Sequence, residues 1–219
     1  AIILLVFSGI MNPNSIYSAF FGNSTVLFLA FSYMMAYCLS ESGVLKRMAI
    51  WFITRKITKN HPWALVLMLA LAGLLISLVI LPSTMILIFL PIMAAIFEQC
   101  KMKQGNPVAE LVVLLVAFIG CVGQGMTPIG HSHPVVAMTI LEGATGYQMS
   151  YADFMSFAIP TGIVIILLIL AYFRFVVRMK VSELASADTE SLKAEIGPMG
   201  RKEKITAAVF IVVVFCWLA

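Results

Sequence analysis

Charge is what this sequence has least of. Asp, Glu, Lys and Arg make up 11% of its 219 residues, while hydrophobic residues make up 62%. Soluble domains carry about 25% charged and about 45–50% apolar residues. A chain so poor in charge cannot cover a water-facing surface, which excludes an ordinary soluble domain and makes lipid the natural solvent. Bases are also missing from whole stretches: neither Asn12–Asn23 nor Gly125–Phe154 contains a Lys or Arg. The 14 bases fall in three segments, Lys46–Lys59, Lys101–Lys103 and Arg174–Lys204. This segregation is the positive-inside pattern, so the formal charge of +4 reports topology and excludes a nucleic-acid partner. The 4 cysteines show no metal or redox spacing and read as small packing residues. No basic segment precedes the apolar run Ala1–Met11, so no signal peptide is argued. That run and Ile205–Ala219 are both short for a span, and the chain reads as a fragment of a longer protein. No internal repeat is visible.

Against this background three uncharged runs stand out: Thr25–Leu39, Ala64–Leu81 and Phe157–Phe173. A span needs roughly 20 apolar residues. The basic segments set their direction. Asn12–Asn23 lies outside and carries loop chemistry in Asn12-Pro13-Asn14-Ser15. Thr25–Leu39 then crosses inward. Val44–Ile57 alternates Lys46, Arg47, Arg55 and Lys56 with Leu45, Met48, Trp51 and Phe52, which suits an amphipathic helix at the cytoplasmic interface. Leu141–Phe154 lies outside, Phe157–Phe173 crosses inward, and Arg174–Lys204 is a cytoplasmic linker in which Ser182–Ile196 is expected to form a short helix.

Two elements depart from simple spans. Ala64–Phe97 leaves the basic side and returns to it, since Lys59 and Lys101 flank it, and Pro82 sits near its middle. Its second arm, Ser83–Phe97, is about 15 residues and about 22 Å as a helix, short against a hydrocarbon core of about 30 Å. A re-entrant hairpin with its tip at mid-membrane fits better than two full spans. Leu111–Leu141 is the converse case: about 31 residues, or about 46 Å as one helix, too long for an ordinary span. Its middle, Gly123-Gln124-Gly125-Met126-Thr127-Pro128-Ile129-Gly130-His131-Ser132-His133-Pro134, cannot stay regularly helical. Two half-helices around a non-helical loop satisfy both length and composition, provided protein or water covers the loop.

Broken helices at membrane depth place helix ends where ions can use them. N-termini offer free N–H groups and the positive end of the dipole to an anion, and C-termini offer carbonyls to a cation. The inward N-termini are expected at Ser83-Thr84, with Ser83 as N-cap, and at Pro134 as the first helical residue. The inward C-termini are expected near Ile80 and Val122. His131 and His133 are ionisable groups at this depth and hence functional candidates. No Cys, Asp or Glu stands near them in sequence, so they are not read as a metal centre.

The run Gly125-Met126-Thr127-Pro128-Ile129-Gly130, followed by a polar break and Pro134, resembles the T-P-I-G-T-P-P-N loop of the divalent anion:sodium symporter family, the carriers for dicarboxylates, citrate and sulfate. Pro82-Ser83-Thr84 with Leu90-Pro91-Ile92-Met93 resembles that family's re-entrant hairpin and its Ser-Asn-Thr tip. Phe7-Ser8-Gly9 and Glu41-Ser42-Gly43-Val44-Leu45-Lys46-Arg47 are similar to its N-terminal half. The resemblance implies an all-α polytopic membrane protein whose residues 1–219 are the first of two inverted repeats and the start of the second. It divides the chain into scaffold and interfacial helices (1–63), a transport-domain half (64–156, with hairpin 64–97 and broken helix 111–141), a transmembrane helix (157–178), a cytoplasmic linker (179–204) and the opening of the second repeat (205–219).

The same resemblance implies a carrier and not an enzyme. It would take a di- or tricarboxylate or sulfate, couple it to a cation, normally sodium, and move by an elevator mechanism as a homodimer in the bacterial inner membrane, with no cofactor besides the coupling ion. Substrate would then fall to Ser83, Thr84, Thr127, Pro128, His131 and Ser132, and the cation to Ser83, Thr84 and Gly130. Two departures bear on coupling. The hairpin tip lacks the Asn, and Gly-His-Ser-His-Pro replaces Gly-Thr-Pro-Pro-Asn, which puts His131 and His133 where a proton could be recruited in place of sodium. The alternatives are an arsenite or sodium/proton exporter of the same superfamily, an anion channel and a membrane metal-dependent hydrolase.

Overall fold

The computed structural model describes residues 6–9, 12–59, 61–187, 194 and 197–218. The described chain is built from helices: α1 Pro13–Phe21, α2 Ser24–Ser42, α3 Val44–Ile53, α4 Pro62–Ser77, α5 Pro82–Gln99, α6 Pro107–Gly123, α7 Ser132–Thr145, α8 Tyr151–Ala171 and α9 Arg201–Leu218. Short 3-10 turns follow at Lys56–Thr58 and Val181–Ser186, and a π-helical turn, Tyr172–Val176, extends α8.

Local chemistry explains most boundaries. The Asn12-Pro13-Asn14-Ser15 stretch, expected as loop, opens α1 instead: the Asn12 side chain accepts from the Asn14 N–H at 2.9 Å and Pro13 occupies the first turn. The same residues that signal a turn also cap a helix. Asn23 caps α2, Asn106 caps α6, and Ser150 with Asp153 forms a reciprocal capping box on α8. Gly43, at φ 85°, supplies the left-handed residue that turns α2 sharply into α3.

Helix α3 ends at Ile53, not at Ile57. Its Leu45, Ala49, Ile50 and Ile53 are buried against α4, while Trp51 points outward under the Arg55 guanidinium, 3.2 Å from the ring centroid. The helix expected over Ser182–Ile196 does not form at its start. Val181–Ser186 is a 3-10 turn whose Glu183 accepts from Asn106 at 2.8 Å. Most of the remainder lies outside the described residues, as do most of Ala1–Met11 and the final residue of Ile205–Ala219.

The core sits between α4, α5 and α6. Ile76, Met85, Phe89, Met93, Val112, Leu115, Val116 and Ile119 are fully buried there. Small residues let the helices approach closely. A methyl on Gly73 would lie 3.3 Å from a Val116 methyl, and Gly120 leaves room for the end of the Met85 side chain. The outside is equally apolar. Ile163, Val164, Leu167 and Leu168 of α8 and Phe31 and Met34 of α2 are exposed. Helices that are apolar on every side belong in lipid. The segments Thr25–Ser42, Pro82–Gln99 and Tyr151–Val176 are long and apolar enough to cross a membrane. The chain is thus an all-helical portion of a polytopic membrane protein.

The two unusual elements take the helix–break–helix form. Ala64–Phe97 becomes α4 and α5, joined by Leu78–Leu81. Leu111–Leu141 becomes α6 and α7, separated by Gln124–His131. Helix α5 has 18 residues, longer than the arm read from sequence because the helix takes in Pro82 and runs on to Gln99.

Candidate functional site

The candidate site forms where the end of α4 meets the break between α6 and α7. Helix α4 stops because Leu78, Val79 and Ile80 fold back on Leu74 and Ile76: their N–H groups donate to the Leu74 and Ile76 carbonyls at 3.1 Å each. The carbonyls of Ser77 and Leu78 are left pointing onward. Apolar surroundings demand partners for them, and the break supplies one. The Thr127 hydroxyl donates to the Leu78 carbonyl, and the same oxygen accepts the Gly130 N–H at 3.1 Å. Thr127 is 5% exposed, so this junction is sealed.

The approach depends on glycine. A methyl on Gly130 would lie 2.7 Å from the Ser77 carbonyl oxygen and 3.0 Å from both Cα and the carbonyl oxygen of Gln124. A methyl on Gly123 would collide with the Ser77 hydroxyl, with the Leu74 carbonyl at 3.2 Å. The Ser77 hydroxyl is itself spent on the Leu74 carbonyl at 2.7 Å. Backbone carbonyls of two helix ends therefore crowd around Gly130 with a single hydroxyl between them. Helix α8 supports the break from the other side, where Gly162 leaves space for the Met126 side chain.

The residues singled out from the sequence divide between two places. Thr127, Pro128 and Gly130 are buried, with Thr127 bonded to Leu78 and Gly130 packed against Ser77. Ser83 is exposed in the first turn of α5. Thr84 is half-buried and lines a cavity of about 350 Å³ with Tyr33, Tyr37, Ser40 and Glu41 of α2. Among the described residues no hydrogen bond joins Ser83 or Thr84 to the loop 127–133. The N-cap of α5 is Leu81, with Pro82 as first helical residue, so Ser83 does not cap it. No side chain caps that N-terminus, and its first N–H groups remain available to a ligand.

The start of α7 is different. His131 is the N-cap and its Nδ1 accepts the His133 N–H at 3.2 Å, which moves Pro134 from the first helical position into the first turn. The two imidazoles stack with centroids 4.0 Å apart, Nδ1 facing Nδ1 in direct contact, and Ser132 Oγ lies 3.5 Å from His131 Nδ1. No third His, Cys, Asp or Glu joins them among the described residues.

Two residues at this junction are not evident from the sequence. Ser77 hides inside an apolar run, and only the tertiary contact with Gly123 and Gly130 reveals it. Gln124 carries a buried side-chain oxygen with no hydrogen-bond partner among the described residues. An orphaned buried oxygen is costly, and a lone amide flanked by Gly123 and Gly125 within a long uncharged run is the signal that could have found it.

The comparisons with known proteins agree with this architecture. The family described as citrate transporter (CitMHS) matches residues 1–219. Among curated proteins the chain is similar to the sodium-dependent dicarboxylate transporter SdcS of Staphylococcus saprophyticus subsp. saprophyticus, 24% identical over 228 residues, covering 99% of this chain and 43% of that protein. The SdcS of Staphylococcus aureus (strain USA300) is 23% identical with the same coverage. The chain thus spans less than half the length of these relatives. The whole-length match, the apolar helices and the paired breaks lead to one conclusion: the chain belongs to the citrate transporter family, a family of membrane carriers and not of enzymes.

Proposed function

We propose that the full-length protein is a secondary active transporter that carries a di- or tricarboxylate together with sodium. The observation that carries this reading is the junction of helix ends, in which the carbonyls of Ser77 and Gln124 crowd around Gly130 and the Leu78 carbonyl meets the Thr127 hydroxyl. Oxygen-rich, charge-free cradles at helix C-termini suit a hard monovalent cation. The buried, unpartnered Gln124 oxygen adds a further oxygen of the right chemistry. The uncapped N-terminus of α5 and the start of α7 offer positive dipole ends to a carboxylate. The sodium dependence and dicarboxylate substrate in the names of the relatives support the same pairing.

The junction also supports the re-entrant hairpin. The Leu78 turn docks on a break lying midway along Leu111–Leu141. If that break sits at mid-membrane, so does the hairpin turn. In this reading 64–156 is the moving half of an elevator, 1–63 belongs to the scaffold, 157–178 is a transmembrane helix, 179–204 a cytoplasmic linker and 205–219 the start of a second repeat. The second repeat completes the site and the carrier works as a homodimer in the bacterial plasma membrane. Citrate and C4-dicarboxylates are the leading substrates, with sulfate as the inorganic alternative.

A second reading replaces sodium with protons. It rests on the stacked His131–His133 pair at the start of α7, where a bound dianion would favour an imidazolium. Uptake by the full-length carrier in proteoliposomes separates the readings. Accumulation of citrate or a dicarboxylate that requires external sodium supports the first. Equal uptake with potassium replacing sodium removes it.

A further inference from the structure

Helices α4 and α8 leave a groove between them where the π-helical turn Tyr172–Val176 ends the long apolar segment. The groove encloses about 340 Å³ and is lined by Trp63 and Leu67 of α4 and by Leu170, Ala171, Arg174 and Phe175 of α8 and its extension. All but Arg174 are apolar or aromatic. Leu67 and Phe175 are exposed. Arg174 arches over the Trp63 ring, 4.7 Å from its centroid, and among the described residues no carboxylate pairs with it.

Three features select the occupant. The walls are apolar, and Leu67 and Phe175 leave them exposed. One aromatic ring and one cation, Trp63 and Arg174, stand together at the end of the apolar segment Tyr151–Val176, and amphipathic Trp is enriched where spans meet headgroups. The guanidinium is held over the indole face, which orients its fork but leaves it without a carboxylate among the described residues, and a guanidinium fork matches a phosphate. We propose that this groove holds one acyl chain of an anionic phospholipid whose phosphate is bound by Arg174, so that the lipid bridges the hairpin arm α4 and the span α8. A polar solute would leave the walls unsatisfied, and a zwitterionic lipid would set its own ammonium beside Arg174. The inference rests on the cytoplasmic placement of Arg174–Lys204 and is independent of which anion is carried.

The test uses the full-length carrier, purified from membranes and reconstituted in nanodiscs with equal phosphatidylglycerol and phosphatidylcholine. Co-purifying lipid is then read by native mass spectrometry after release into detergent. The expected result is retention of phosphatidylglycerol over phosphatidylcholine by about fivefold, the ratio given by about 1 kcal/mol for one basic residue near the surface. Arg174→Gln should bring the ratio to near one, Arg174→Lys should keep most of it, and Leu67→Trp should lower retention of both lipids by filling the groove. Equal retention of the two lipids by the natural protein would overturn the proposal. So would a preference unchanged in Arg174→Gln, or no retained lipid because other parts of the carrier cover the groove. Should Arg174→Gln fail to fold, the Leu67→Trp and Arg174→Lys results decide alone.

Discussion

The Thr127 hydroxyl donates to the Leu78 carbonyl, joining the break of one helix to the end of another that is 49 residues away in sequence. The same oxygen accepts from Gly130, so one buried atom organises both sides of the junction. Thr127→Val keeps the shape and removes the hydroxyl, leaving a buried carbonyl and a buried N–H without their partner. A loss of about 1–3 kcal/mol is expected, seen as a lower unfolding midpoint, together with loss of uptake. Thr127→Ser should retain both. A valine variant as stable and active as the parent would deny the junction its role.

Gly130 is needed for space. Gly130→Ala would place a methyl 2.7 Å from the Ser77 carbonyl oxygen, whereas Gly143 has open room around it. Overpacking of this kind costs about 1–3 kcal/mol, and here it would also push two helix ends apart. Uptake should fall sharply in Gly130→Ala while Gly143→Ala transports normally. Equal activity of the two variants would show that the close approach is not required.

Much of this arrangement is legible in the amino-acid sequence, because length and composition speak about the membrane directly. An uncharged stretch as long as Leu111–Leu141 with three glycines and two prolines at its centre must break, and it does, at Gln124–His131. Pro82 likewise marks the turn between α4 and α5. What escapes is the partner of each break. Ser83 and Thr84 look like the working hydroxyls by position, yet Thr84 faces α2 and the contact with the break is made by Ser77 and Leu78. Backbone carbonyls carry no sequence signature, so a junction made largely from them stays hidden until the helices are packed. The short helix α1 was obscured for another reason: Asn-Pro-Asn-Ser serves turns and N-caps equally well.

Arg47 fastens α3 to the start of α9. It pairs with Glu203 at 3.0 Å and donates to the carbonyls of Gly197 and Pro198 at 2.8 and 3.3 Å. The Gly200 N–H first, and Arg47 in addition, hold the Glu203 carboxyl below its ordinary value. A depressed carboxylate adds stability above its unfolded value, about 4.3, and loses it as pH falls through the lower folded value. The unfolding midpoint of the natural protein should therefore drop more steeply below about pH 4.3 than that of Glu203→Gln. Parallel pH profiles would show that the contact adds nothing to stability.

Gln124 offers a way to separate cation from substrate. If its buried oxygen faces the ion, Gln124→Leu should raise the sodium concentration needed for half-maximal uptake by about tenfold, the effect of losing about 1.4 kcal/mol, with a smaller change in substrate affinity at saturating sodium. An unchanged sodium requirement would place Gln124 outside the cation site.

The measurement that bears most directly on sodium-coupled carboxylate transport is concentrative uptake by the full-length carrier in proteoliposomes. Citrate and C4-dicarboxylates would be supplied under an imposed sodium gradient or an imposed pH gradient, for the natural protein and for the double variant His131→Ala, His133→Ala. Accumulation is expected to be driven by the sodium gradient alone and to survive the double substitution. Accumulation driven by the pH gradient without sodium, and abolished by removing the two imidazoles, would contradict it and transfer the coupling to the histidine pair.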